Sequence, residues 1–213
     1  MKKTLLALAL IAAGSAQAAT ITQSATLNLQ TTEINQTFNI NKFDSTLGTL
    51  TGVAITLDAE AISTATLRNT STTPQRFSFG STLNLFLDNI SAGVSESLQL
   101  SLFNFGPTNL AVNVLTDLGT VNPTDSLTFN ASDLAAFIGS GSTSFSCTSL
   151  VSNSQAGGGG NIRVTQDTQA GCGLNVVYTY DVATPPPAQV PEPASMALVG
   201  LGMMGLAAIR RRK

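Results

Sequence analysis

Apolar and polar residues alternate with a period of two along most of the chain. Leu27 and Leu29 sit between polar neighbours, as do Phe38 and Ile40, then Val53, Ile55 and Leu57. The alternation returns at Phe77/Phe79, Leu83/Leu85/Leu87, Leu98/Leu100/Leu102 and Leu110/Val112/Val114. It recurs again at Leu127/Phe129 and Leu174/Val176/Tyr178/Tyr180. Successive side chains of a strand point to opposite faces, so this pattern buries one face and wets the other. Thr, Val, Ile and Phe suit such a half-buried surface. Turn formers separate the runs at Asp44-Ser45, Asn69–Pro74, Asp88–Gly93, Gly106-Pro107 and Asn122-Pro123. The expectation is an all-β fold: one antiparallel β-sandwich, jelly-roll-like, over residues 19–183. At Leu102-Phe103 the apolar phase flips to Phe103 and Phe105, which predicts a bulge or a strand end. One short helix is expected at Asp133–Ile138, capped by Ser132 and stopped by Gly139. No repeat of fixed period interrupts this reading.

The two ends break the pattern. Residues 1–18 read as a signal peptide: Lys2 and Lys3, then an apolar stretch, then Ala16-Gln17-Ala18. Small residues at those positions predict cleavage by signal peptidase between Ala18 and Ala19. At the other end residues 194–209 are an apolar run, followed by Arg210, Arg211, Arg212 and Lys213. As a helix the run is about 24 Å long, short for a hydrocarbon core of ~30 Å, yet able to span with snorkelling arginines. The basic end stays cytoplasmic and leaves the preceding chain outside. Gly200, Gly202 and Gly205 match the spacing of a dinucleotide loop, but no strand precedes them and the surroundings suit helix packing. No cofactor is expected.

Charge alters the picture once the ends are set aside. Charged residues make up 10% of the chain, against roughly 25% in an average protein. Residues 19–189 hold 4 basic and 11 acidic side chains, a net charge of −7. Four scattered cations give no footprint for nucleic acid. The chain has no His and no Trp, which excludes an imidazole base and any His-ligated metal.

Cys147 and Cys172 are the only cysteines, and both lie in the exported part. In an oxidising compartment an even pair reads as a disulfide. The loop it closes contains Gly157–Gly160, so the bridge is expected to staple a loose insertion. Without a His to activate it, a nucleophilic Cys is the weaker reading. Residues 184–190, Thr-Pro-Pro-Pro-Ala-Gln-Val, form a stiff extended spacer.

Pro191, Glu192 and Pro193, the apolar run and the closing Arg cluster together resemble the PEP-CTERM sorting tail over residues 191–213. That resemblance implies a bacterium with an outer membrane that makes extracellular polysaccharide. It also implies processing by a membrane-embedded exosortase near Pro191–Pro193, after transient anchoring in the inner membrane. The body resembles the exported domain called choice-of-anchor E. Lys42-Phe43-Asp44, Leu47-Gly48-Thr49-Leu50, the strand Val53–Leu57 and the run Val176–Tyr180 carry that resemblance. It implies no catalytic activity, so no catalytic residues carry over.

Three functions stay open. The first is a structural or interaction protein of the cell surface or extracellular matrix, and this is the reading chosen. The second is a carbohydrate- or calcium-binding module, although no EF-hand spacing names ligands and few aromatics are free to stack on sugars. The third is a carboxylate-based glycoside hydrolase. Asp58 and Glu60 point to one side of a strand about 6.6 Å apart, in the range of an inverting pair. They alternate with Leu57, Ala59 and Ala61, which equally describes a solvated outer face.

Overall fold

The computed structural model describes residues 18–26 and 29–183. Residues 18–182, as far as they are described, form one compact unit. It contains two antiparallel sheets. One is built from β1 (Ala18–Thr26), β2 (Gln30–Thr31), β4 (Gly48–Asn69), β7 (Leu115–Val121), β8 (Thr124–Asn130) and β10 (Ile162–Val182). The other runs in the order β3 (Asn35–Asn41), β9 (Ser142–Gly157), β5 (Gln75–Asn89) and β6 (Val94–Leu110).

The spine of the first sheet is the β4–β10 pair, which runs from Asn69↔Ile162 to Gly48↔Val182 with one irregularity between Thr179 and Tyr180. At about 3.3 Å per residue, β4 is ~70 Å long. Shorter strands then lie end to end along each outer edge. β1 and β2 line β10, while β8 and β7 line β4. The inward row of β4 explains the burial: Val53, Ile55, Leu57 and Leu67 are almost wholly enclosed. On β5, Phe77, Phe79, Leu83, Leu85 and Leu87 face them from the other sheet. One cluster of buried residues therefore fills the space between the sheets.

The expected sandwich is present, and the phase flip is a bulge. Pairing steps from Ser81↔Phe103 to Thr82↔Ser101, leaving Leu102 without a partner. Leu102 and Phe103 are both buried, which two adjacent strand residues achieve only at such an irregularity. Other expectations need correction. The helix at Asp133–Ile138 is a single 3-10 turn, Ala135–Phe137. Asp133, not Ser132, supplies its side-chain acceptor, taking the Ala135 N–H at 2.9 Å. The turn cannot lengthen, because the Phe137 carbonyl already accepts from Phe43 N at 2.7 Å.

Gly106-Pro107 does not end a strand. β6 passes through it to Leu110 with a second irregularity opposite Ser78. Proline is tolerated there because β6 is an edge strand. Leu110, Val112 and Val114 are not a strand of their own. Leu110 ends β6, Val112 makes one isolated bridge to Asn69, and Val114 is half exposed. The first strand is Ala18–Thr26 rather than a run centred on Leu27 and Leu29; Leu29 lies outside any strand and Leu27 lies outside the described residues.

Candidate functional surfaces

The two outer faces differ in chemistry. On the β3-β9-β5-β6 sheet, β3 presents Asn35, Thr37, Asn39 and Asn41. They pair with outward Thr148, Ser146, Ser144 and Ser142 of β9. The outward row of β5 reads Arg76, Ser78, Gly80, Thr82, Asn84, Phe86 and Asp88. Its two charges sit at the ends, and nothing between them ionises. Gln99 Nε2 donates to Asn84 Oδ1 at 2.8 Å, and Ser144 Oγ donates to Asn39 Oδ1 at 2.6 Å. Phe86 is 37% exposed, and Leu150 on β9 is 45% exposed. Sequence reading passed over Phe86 although its signal was present. It falls out of phase between buried Leu85 and Leu87, so its ring must face outward.

The opposite sheet carries the charge. Asp58, Glu60 and Arg68 face outward from β4, and Arg163, Asp167 and Asp181 from β10. Asp58 and Glu60 line a shallow open trough of about 480 Å³ with Asp125, Gly171 and Gly173. Gly173 is directly opposite Asp58, and a Cβ there would lie 3.2 Å from Asp58 Cβ. Both carboxylates are exposed, while their neighbours Leu57, Ala59 and Ala61 are buried. Among the described residues, no three His, Cys, Asp or Glu side chains converge closely enough to hold a metal ion.

The segments cited for the choice-of-anchor resemblance meet at one end of the sandwich. Val53 pairs with Tyr178 and Ile55 with Val176. Phe43 is buried against Tyr180 and Tyr178, with ring centres 5.0 and 6.1 Å away. Tyr178 also meets Phe137 edge-on at 6.3 Å and donates its hydroxyl to Asn41 O at 2.9 Å. Burial pushes the Tyr178 hydroxyl up to about 12. Asp44, which starts the turn after Phe43, is held below the usual carboxylate range because the Thr46 backbone N–H and hydroxyl both donate to it.

Cys147 and Cys172 are bonded, with Cα atoms 6.7 Å apart, and both are buried. The bridge corrects the expected picture. It does not staple a loose insertion but joins β9 of one sheet to β10 of the other through the core. Gly157–Gly160 is not loose either. All four glycines adopt positive φ, from 54° to 88°. A side chain on Gly157 would collide with the Arg76 carbonyl, and one on Gly158 with Ile162. The glycines are what lets the chain cross tightly from sheet to sheet.

Ala18 and Ala19 open β1, opposite Asp181 and Tyr180. Pro191, Glu192, Pro193, Arg210, Arg211 and Arg212 lie outside the described residues, as does the apolar run 194–209. Residues 189–213 match the PEP-CTERM protein-sorting motif. The motif implies export, a transient membrane anchor and processing by exosortase. No curated protein matches the sequence. Among solved structures, the chain is similar to that of the infectious bursal disease virus Gx strain, with 12% identity over 84% of this chain and 43% of that one, at a TM-score of 0.20. It is likewise similar to the VP2 subviral particle of the same virus, with 11% identity over 98% of this chain and 54% of that one, at a TM-score of 0.21. The chain spans about half the length of these structures.

Proposed function

We propose that this chain is an exported protein of the cell surface or extracellular matrix that works by binding or by building structure, not by catalysis. The sorting motif at residues 189–213 carries the reading. In it, signal peptidase removes residues 1–18, the apolar run 194–209 halts the chain in the inner membrane, and exosortase cuts near Pro191–Pro193. The body then belongs to the choice-of-anchor E class, with Phe43, Val53–Leu57 and Val176–Tyr180 forming its shared end. Exposure of Asp58 and Glu60 in an open trough supports a non-catalytic role, because a general acid works from a sheltered, water-poor site.

Intact-mass measurement of the surface form tests the sorting. The expected chain begins near Ala19 and ends near the spacer. Replacing Pro191, Glu192 and Pro193 together by alanine should leave an unprocessed form in the inner membrane, and deleting residues 191–213 should release the body to the medium. Lys213 still present on the surface form would instead establish a permanent anchor.

A further inference from the structure

Resting on the reading of this chain as an exported surface or matrix protein, we propose that the outer face of the β3-β9-β5-β6 sheet docks a neutral, hydroxyl-rich polysaccharide chain. Charge points to the occupant. From Ser78 to Phe86 the outward row of β5 carries no ionisable group, and the outward Ser and Thr of β9 add none. A polyanion or polycation finds nothing to pair with here, whereas a hydroxyl polymer finds donors and acceptors matching those it loses from water.

The face also has shape. A Cβ at position 80 would lie 2.6 Å from Ser154 Oγ and displace that hydroxyl, so Gly80 keeps this spot of the face low. The resulting depression, about 340 Å³, is lined by Thr82, Ser101, Asn104, Ser152 and Ser154. Along β5 from this depression come the Asn84–Gln99 amide pair and then the exposed ring of Phe86. Gly80 to Phe86 covers ~20 Å, room for several sugar rings in a row. A flat apolar ring suits the C–H face of a sugar, and amides already hydrogen-bonded to each other lose little freedom on binding. Because these groups stand on paired strands, the track is preformed.

The test uses the secreted body, residues 19–183, which has its own core and disulfide. Affinity electrophoresis is run through dextran, galactomannan, the neutral polysaccharide fraction of the producing culture, and alginate. At least one neutral polysaccharide should retard the protein, equally at about 50 mM and about 1 M salt, and alginate should not. Phe86→Ala should weaken retardation by about tenfold or more. Ser97→Arg, a surface change directly across from Phe86, should do the same, while the paired Asp58→Ala and Glu60→Ala changes on the far sheet should have no effect. Retardation by none of the neutral polymers overturns the proposal, as does indifference to both Phe86→Ala and Ser97→Arg. A dimer in sedimentation that Ser97→Arg dissociates, without glycan binding, would give the face to a second copy instead. Export is scored in parallel. Normal export without binding removes this surface alone, and binding by a chain that is never exported removes the sorting reading alone.

Discussion

The two halves of the sandwich are closed by different forces. At the end where β10 finishes, the interior is aromatic: Phe43, Phe137, Phe145 and Tyr178 are buried together. At the other end polar groups enter the core beside Phe77, Phe79 and Phe103. Gln166 Nε2 donates to Ser63, Ser81 and Thr168 at 3.1, 2.9 and 3.1 Å, linking the two sheets. Beyond them buried Asn69 donates to the carbonyls of Thr73 and Leu110 and accepts from the Ser71 N–H. The row along β4 records part of the change, from Val53, Ile55 and Leu57 through Ala59 and Ala61 to Ser63, Ala65, Leu67 and Asn69. One end tolerates shape change badly, and the other tolerates lost partners badly. The disulfide sits between them.

The largest effect should come from Phe43→Ala. It empties the aromatic end and is expected to cost about 3–5 kcal/mol in denaturant unfolding. A loss below about 1 kcal/mol would mean that this end collapses to fill the space, and the contrast between the ends would fail.

Next comes the tie between the halves. Cys172→Ser should cost on the order of 2–4 kcal/mol, and non-reducing alkylation of the exported wild type should find no free thiol. Two free thiols would show that the halves are held by packing alone.

Asn69→Ala should cost about 1–3 kcal/mol, since the Thr73 and Leu110 carbonyls and the Ser71 N–H lose their partner. Hydrogen exchange should speed up around residues 69–75 and leave the Phe43 end protected. Uniform loss of protection would show that the ends do not respond separately.

Tyr178→Phe should have the smallest effect at neutral pH, about 0.5–1.5 kcal/mol for the bond to Asn41. Its pH dependence is diagnostic. The folded hydroxyl titrates at about 12 against 10.0 in the ordinary group, so the native state keeps a proton that the unfolded chain releases. That contribution is complete below the lower value and disappears as pH rises through the upper one. In Tyr178→Phe this part of the alkaline destabilisation should vanish, and an unchanged alkaline limb would place its cause elsewhere.

How far the sequence reveals these halves follows from residue size. Where large apolar side chains alternate with polar ones, as in Val53–Leu57 and Leu83–Leu87, strand and inward face are both legible. β9 is not, because its inward row mixes Thr143, Phe145, Cys147 and Ser149 with outward serines. β10 is legible only from Leu174 onward, since its first half buries Thr168, Ala170 and Gly171. Small polar residues are buried there because the opposite strand supplies their hydrogen bonds, and a single strand's sequence does not contain its partner. The disulfide was legible as a pair. Its route between the sheets was not, since that depends on which strand goes to which sheet. Phe86 was legible by phase alone, and the neutrality of its surroundings emerges only when four strands lie side by side.

The position of Cys172 also governs how the body answers a mechanical load. Before the tail is cut off, any tension transmitted along the chain from it enters the body at Val182, the end of β10. That strand is flanked on both sides, by β1 and β4, so the load acts in shear along its length rather than peeling an edge. Only residues 173–182 can be drawn out before the pull reaches the covalent link to Cys147. From there the force divides between both sheets. Extraction from the tail end thus has a hard stop near the C-terminus, at the covalent link between the two sheets.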